Sequence, residues 1–361
     1  MAIKNAQYGL LLDHLGHNVL IMQKRDSIEQ PRTRVTRGTI WQKSDLPSEF
    51  EWRSTGPLVG PKNDARNISG IKDPSIIQYN GAYHVFASTA QQSGYSLVYF
   101  NFTNPNKAGQ ADFYYLDQSG IGTGYRAAPE VFYFEPQKLW YLVYQNGNAA
   151  YSTNPDISNP AGWSAPSTFY AAQPKIITKN IGTGYWVDMW VICDAKDCYL
   201  YSSDDDGHLY RSKTKLADFP NGFAHTRIEL SSEDNIYALF EASNVYFTGE
   251  EYLLIVEAVG ATGERYFRSW TAPTLNAGWT PLADTEANPF AGQANVKFPK
   301  GNWTNSISHG EAIRTNVDQT LTIDPCNLRY LYQGIDPAKN SGDYNSLPWR
   351  LALLTLTNPT C

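Results

Sequence analysis

Five times along this chain a carboxylate stands at or near the start of an apolar, aromatic-rich strand, followed by a turn and further strands. Asp73 precedes Pro74-Ser75-Ile76-Ile77, the turn Asn80-Gly81 and His84-Val85-Phe86. Glu130 opens Val131-Phe132-Tyr133-Phe134, and Asp188 opens Met189-Trp190-Val191-Ile192. Glu241 leads into Asn244-Val245-Tyr246-Phe247, and Glu311 opens Ala312-Ile313-Arg314, with Leu321-Thr322-Ile323 and Leu328 to Tyr332 beyond it. The carboxylates are spaced by 57, 58, 53 and 70 residues. Such a period, with several short β-branched and aromatic strands per unit, is the mark of a β-propeller. The fold expected is all-β, a five-bladed propeller with an N-terminal extension. Because the innermost strand of each propeller blade lines the central channel, the five carboxylates are expected to face one another across one mouth.

The repeats run from Lys72 to the C-terminus of a 361-residue chain, which divides it into residues 1–45, an extension or pro-segment outside the core, and 46–361, the propeller. Leu46 to Lys62 reads as an extended lead-in able to close the last blade. Aromatic residues make up 14% and charged residues 18%, which suits blade-on-blade packing. A net charge of −6 leaves no basic face to follow a phosphate backbone, so nucleic acid is not expected as a partner. No run of about 18 apolar residues exists to span a membrane.

Four cysteines allow three pairings, of which Cys193 with Cys198 and Cys326 with Cys361 is the simplest; buried free thiols are the alternative. With the sequons at Asn67, Asn101 and Asn302, this points to a secreted, extracellular protein. A secretory leader is not visible, since Asp13, His14 and His17 interrupt the apolar runs near the N-terminus. Lys24-Arg25 resembles a dibasic processing site.

Other motifs read as structural. Gly120 to Tyr125 has spaced glycines but no strand-to-helix context for a phosphate loop, and a second Gly-Thr-Gly-Tyr at Gly182 to Tyr185 holds the same place ahead of the next blade. Asp204-Asp205-Asp206-Gly207 lacks the spacing of a calcium loop and is expected to be a solvated turn. Pro220 to Asn235 is expected to be a short helix or irregular loop, and 271–310 a longer insertion.

Inverting glycoside hydrolysis needs a carboxylate to activate water, a carboxylic acid to protonate the leaving oxygen, and room for that water. A third carboxylate nearby can tune the acid, because like charges resist ionising together. Asp73, Asp188 and Glu241, on blades one, three and four, would surround a sugar, whereas Glu130 reads as structural. Any one of them alone could simply cap a strand end.

Lys72-Asp73-Pro74-Ser75, Tyr185-Trp186-Val187-Asp188-Met189-Trp190, Leu239-Phe240-Glu241-Ala242, Ser308-His309-Gly310-Glu311 and Asp343-Tyr344-Asn345 together resemble glycoside hydrolase family 62, the α-L-arabinofuranosidases of arabinoxylan. The resemblance runs from about Leu46 to the C-terminus. It implies a five-bladed propeller and inverting release of terminal 1,2- or 1,3-linked arabinofuranose from arabinoxylan or its oligosaccharides by a monomer. It implies Asp73 as general base, Glu241 as general acid and Asp188 as the residue that tunes the acid and orients the substrate. Lys72 would contact the sugar, Tyr344 and Asn345 would line the cleft for the xylan backbone, and His309 would help to hold a structural calcium ion. One departure is Asn146, which follows Tyr144-Gln145 where the family pattern has a tryptophan. Two alternatives stay open: a family 43-type β-xylosidase or arabinanase, and a sugar-binding propeller without catalysis.

Overall fold

The computed structural model describes residues 46–361. The expected extension over 1–45, with Lys24-Arg25 inside it, lies outside the described residues. From Leu46 onward the chain forms five β-sheets arranged as propeller blades. Blade one is Gly70–Tyr79, Ala82–Gln91, Gly94–Phe102 and Tyr114–Tyr115. Blade two is Ala127–Phe134, Leu139–Gln145, Ala149–Asn154 and Ser167–Thr168. Blade three is Val187–Cys193, Asp197–Ser203, His208–Lys215 and Ala224–Ser231, and blade four is Glu241–Phe247, Tyr252–Val259, Arg265–Ala272 and Thr280–Pro281.

Blade five is assembled from distant parts of the chain. Ser308–Ala312, Arg329–Gly334 and Arg350–Leu356 are completed by Trp52–Ser54, which runs antiparallel to Arg350–Leu356 and parallel to Val296–Lys297. The lead-in segment thus closes the ring, as expected. Trp52 is fully buried, its ring centroid 5.2 Å from that of Phe290, and its indole N–H donates to the Phe290 carbonyl at 2.5 Å. Truncating an aromatic side chain packed this way costs about 3–5 kcal/mol.

Inner strands are buried on both faces because blades stack on either side of them; every residue of Val187–Cys193 is buried. Outer strands are not. Ala224–Ser231, on the rim of blade three, has no fully buried residue. That corrects the helix or irregular loop expected between Pro220 and Asn235: an edge strand wet on both faces carries little apolar alternation to betray it. A second correction concerns Leu321-Thr322-Ile323, which is no blade strand; blade five's second strand is Arg329–Gly334. Instead, residues 317–323 close the channel from below. Tyr133, Cys193 and Phe247 donate their backbone N–H groups to the carbonyls of Val317, Gln319 and Leu321, binding this plug to blades two, three and four.

Disulfides join Cys193 to Cys198 and Cys326 to Cys361, and the described residues contain no free cysteine. Among the described residues no helix is long and apolar enough to cross a membrane.

Candidate active site

Each inner strand carries a one-residue bulge near its start. The ladder slips between Lys72 and Ser75, Ala127 and Glu130, Val187 and Trp190, Glu241 and Asn244, and Ser308 and Gly310. In four blades a residue within the bulge is left-handed: Asp73 at φ 48°, Ala128 at 50°, Asp188 at 57° and Ala242 at 54°. Such a conformation costs about 1 kcal/mol or more for a residue with a side chain, so something must hold it. The holder is the preceding blade. The N–H of Ala128 donates to Ser88 Oγ at 2.8 Å, that of Asp188 to Gln145 Oε1 at 2.7 Å, and that of Ala242 to Asp188 Oδ2 at 2.8 Å. The N–H of His309 donates to Glu257 Oε2 at 2.7 Å, and that of Asp73 to Gln333 Oε1 at 2.7 Å, which completes the circle.

This register re-sorts the five carboxylates. Asp73 and Asp188 occupy the bulge itself, and Glu241 is one residue before it. Glu130 and Glu311 come two residues after the bulge position, deeper in the channel, and are essentially inaccessible. There they staple blades together. Glu130 accepts the Val191 N–H at 2.6 Å, while Glu311 accepts Ser75 Oγ–H at 2.5 Å and the Ile76 N–H at 3.1 Å and pairs with Arg314 at 2.7 Å. Gly310 is required beside them, since a Cβ there would collide with the Leu331 carbonyl. Five carboxylates facing one another at the mouth is therefore corrected to three from that set.

A cavity of about 800 Å³ opens at the mouth, and Lys72, Asp73, Asp188, Glu241, His309, Tyr344 and Asn345 all line it. Their electrostatics differ. Burial pushes the Asp73 carboxyl up, but Lys72 and His309 outweigh it and leave Asp73 below the usual carboxylate range. Asp188 is pushed well above that range by burial, then by Glu241 and Asp73. Burial opposes the Lys72 charge, yet Tyr344, Asp73, Tyr95 and Glu241 more than compensate and hold the ammonium charged. Lys72 Nζ donates to the Tyr344 hydroxyl at 3.2 Å and lies 4.0 Å from Asp73 Oδ1.

Glu241 is gripped by a residue that sequence reasoning missed. Arg265 Nη1 lies 2.7 Å from Glu241 Oε1 and 2.9 Å from Glu257 Oε1. Neither Arg265 nor Glu257 falls at a repeat position that draws notice; they meet Glu241 only because three neighbouring strands of blade four align. Asp205 was missed as well. The turn Asp204-Asp205-Asp206-Gly207 is not simply solvated: Asp204 is wholly buried and accepts the backbone N–H groups of Asp206 and His208 and the Tyr210 hydroxyl, while Asp205 lines the cavity. The two Gly-Thr-Gly-Tyr segments are loops, as expected, but both deliver a tyrosine to the cavity. Tyr125 accepts a hydrogen bond from Gln145 Nε2, and Tyr185 is 72% exposed. Their repetition was the available signal.

His309 Nδ1 lies 3.4 Å from Asp73 Oδ1 and 3.8 Å from Asp188 Oδ2. Calcium takes six to eight oxygen ligands, and among the described residues no group of three or more His, Cys, Asp or Glu side chains is arranged to hold a metal ion. These residues do not make a calcium cage by themselves.

Comparison with known proteins gives a consistent picture. The family model described as glycosyl hydrolase family 62 matches residues 51–355. A curated relative, alpha-L-arabinofuranosidase C of Cellvibrio japonicus, is 47% identical over 319 residues, covering 87% of this chain and 48% of its own length. This chain thus spans about half of that relative. The solved catalytic domain of a family 62 alpha-L-arabinofuranosidase from Coprinopsis cinerea is 62% identical, with a TM-score of 0.86, covering 88% of this chain and 100% of that one. A family 62 hydrolase solved in complex with xylotriose is 60% identical, with a TM-score of 0.84, over 85% and 98% of the two chains.

Proposed function

The chain belongs to glycosyl hydrolase family 62, and from that premise we propose that it is an inverting α-L-arabinofuranosidase releasing terminal 1,2- or 1,3-linked arabinofuranosyl branches from arabinoxylan. The observation that carries the reading is that three carboxylates from three blades, Asp73, Asp188 and Glu241, line one cavity, in surroundings that depress the Asp73 carboxyl beside Lys72 and His309 and raise that of Asp188 by burial. Groups pushed apart in this way are suited to different proton-transfer roles.

Asp73, ionised, takes a proton from the water that attacks the anomeric carbon. Glu241 gives its proton to the leaving xylosyl oxygen, and Arg265 then neutralises the carboxylate left behind. Asp188, kept neutral, donates a hydrogen bond to the sugar and holds the Ala242 N–H, so it fixes the backbone next to the acid. Lys72 anchors a hydroxyl of the same ring. The cavity favours one terminal sugar, because the Lys72, Asp73, Asp188 and His309 side chains forming its floor are nearly buried.

Tyr344 and Asn345, with Tyr125 and Tyr185, offer aromatic and amide surface to the xylan backbone. The turn at Gly147, next to Asn146, leaves open space in that rim, which predicts a weaker grip on long xylan there. His309 would help to hold a structural calcium ion in this reading, and no step passes through it. Two disulfides support secretion, and we take the active unit to be a monomer.

Proton NMR of the anomeric region during digestion of soluble arabinoxylan tests the proposal. Free β-arabinofuranose appearing first, with the backbone intact, is expected. Xylose or arabino-oligosaccharides would point to a family 43-type activity, and absence of any product to a binding propeller.

A further inference from the structure

The turn that joins the second and third strands of blade three is built to present one carboxyl to the catalytic pocket. Asp204 fixes it from within: its Oδ1 accepts the N–H groups of Asp206 at 2.9 Å and His208 at 3.1 Å, and its Oδ2 accepts the Tyr210 hydroxyl at 2.7 Å. Asp205 is thereby held in the left-handed region at φ 55°, a strained conformation that only an over-determined surrounding sustains. Its side chain lines the cavity with Asp188, Glu241 and Arg265. One of its oxygens, Oδ1, is buried with no hydrogen-bond partner, and its carboxyl shares the cavity with that of Glu241, within hydrogen-bonding reach of it.

Two carboxyl groups can hydrogen-bond to each other only if one of them carries a proton, because ionised carboxylates are acceptors only. Glu241 also faces the fixed charge of Arg265, with Glu257 on the far side of that guanidinium and Lys72 and Tyr344 within electrostatic reach across the pocket. A general acid in contact with a fixed positive charge needs a counterweight to have a proton available for delivery.

We propose that Asp205 is a positioning residue that shares a single proton with Glu241, keeping that proton within the pair for delivery through Glu241 to the leaving oxygen. The inference rests on the hydrolase reading above. In the step itself the proton leaves the pair for the glycosidic oxygen as the bond to the anomeric carbon breaks, and the hydroxide equivalent comes from the water deprotonated by Asp73. The pair is then reprotonated from solvent. Burial first, then Glu241 and Asp188, push the Asp205 carboxyl up to about 9, which agrees with a proton retained through neutral pH.

Asp205→Asn tests the assignment, since asparagine is isosteric and tolerates positive φ. Its kcat/KM profile on arabinoxylan is expected to lose its alkaline limb about one pH unit or more toward acid, with KM little changed, and Asp205→Glu should bring the limb partly back. Removing a carboxyl whose pKa is raised in the folded state should leave the melting temperature at pH 7–8 equal or higher. A profile that is uniformly lowered without moving, together with a lower melting temperature, would show a merely structural turn and overturn the proposal. Infrared difference spectra of wild type against Asp205→Asn at pH 7 read the proton without any substrate. Loss of a protonated-carboxyl C=O band is expected, and its absence overturns the inference whatever the activity. If the band is present but arabinose is never released, the hydrolase reading fails while the shared proton stands.

Discussion

Two tiers of carboxylates stand on the inner strands of different blades, offset by two or three residues relative to the bulge, and the chain uses them in opposite ways. The upper tier, Asp73, Asp188 and Glu241, opens onto the cavity. The lower tier, Glu130 and Glu311, is inaccessible and committed to Val191, Ser75, Ile76 and Arg314. Burial raises Glu130 well above the usual carboxylate range, and raises Glu311 despite Arg314. What separates the tiers is the bulge. Above it, backbone N–H groups turn sideways to the preceding blade and leave side chains free to face the pocket; below it, the side chains themselves become the links between blades. A carboxylate in this propeller is chemical or architectural according to which side of one irregular residue it falls.

The contrast can be broken most forcefully by exchanging the consequences of substitution. Glu241→Gln should lower kcat on arabinoxylan by about 10²–10⁴-fold with the melting temperature nearly unchanged; a mild loss of activity would remove Glu241 from the chemical tier. Glu311→Ala should do the reverse. It leaves the buried Arg314 without its 2.7 Å carboxylate partner, which costs about 3–5 kcal/mol, measurable as a lower urea midpoint, while the fraction that stays folded keeps its specific activity.

Within the upper tier the two aspartates should respond oppositely to pH. Asp73 is lowered in the folded state, so the stability it contributes is present above its ordinary pKa near 3.8 and is lost as pH falls. Asp188 is raised, so stability is fully present below 3.8 and drains away as pH rises through its folded value. Calorimetry at pH 7 should therefore find Asp73→Asn less stable than wild type and Asp188→Asn more stable, although both lose activity; shifts of the same sign would undo the assignment of divided protonation. The smallest effect belongs to the rim. Tyr344→Phe removes the hydroxyl that accepts from Lys72, worth about 0.5–1.5 kcal/mol, and should raise KM a few-fold with kcat retained.

Much of this could be read in the chain. The period set by Asp73, Glu130, Asp188, Glu241 and Glu311 was enough for five blades, and Trp52 was legible as part of a closing strand. Both disulfides followed from spacing, and all seven residues singled out for the site line one cavity. The period also misled, because it aligned Glu130 and Glu311 with Asp73 and Asp188, which stand two positions higher. An offset of two is invisible to strand alternation, which repeats with that same period.

Sequence alone determined the repeat, and with it the fold, because blades of alternating aromatic strands have few other ways to bury their faces. Which carboxylates reach the pocket, and which neighbours govern their protons, only the tertiary structure decided. The bulge hydrogen bonds run from blade to blade, between residues 40 to 260 apart in the chain, and Arg265 and Asp205 meet Glu241 from separate strands and a separate blade. Charge interactions depend on distance through space and on exclusion of water, and neither is set until the ring has closed.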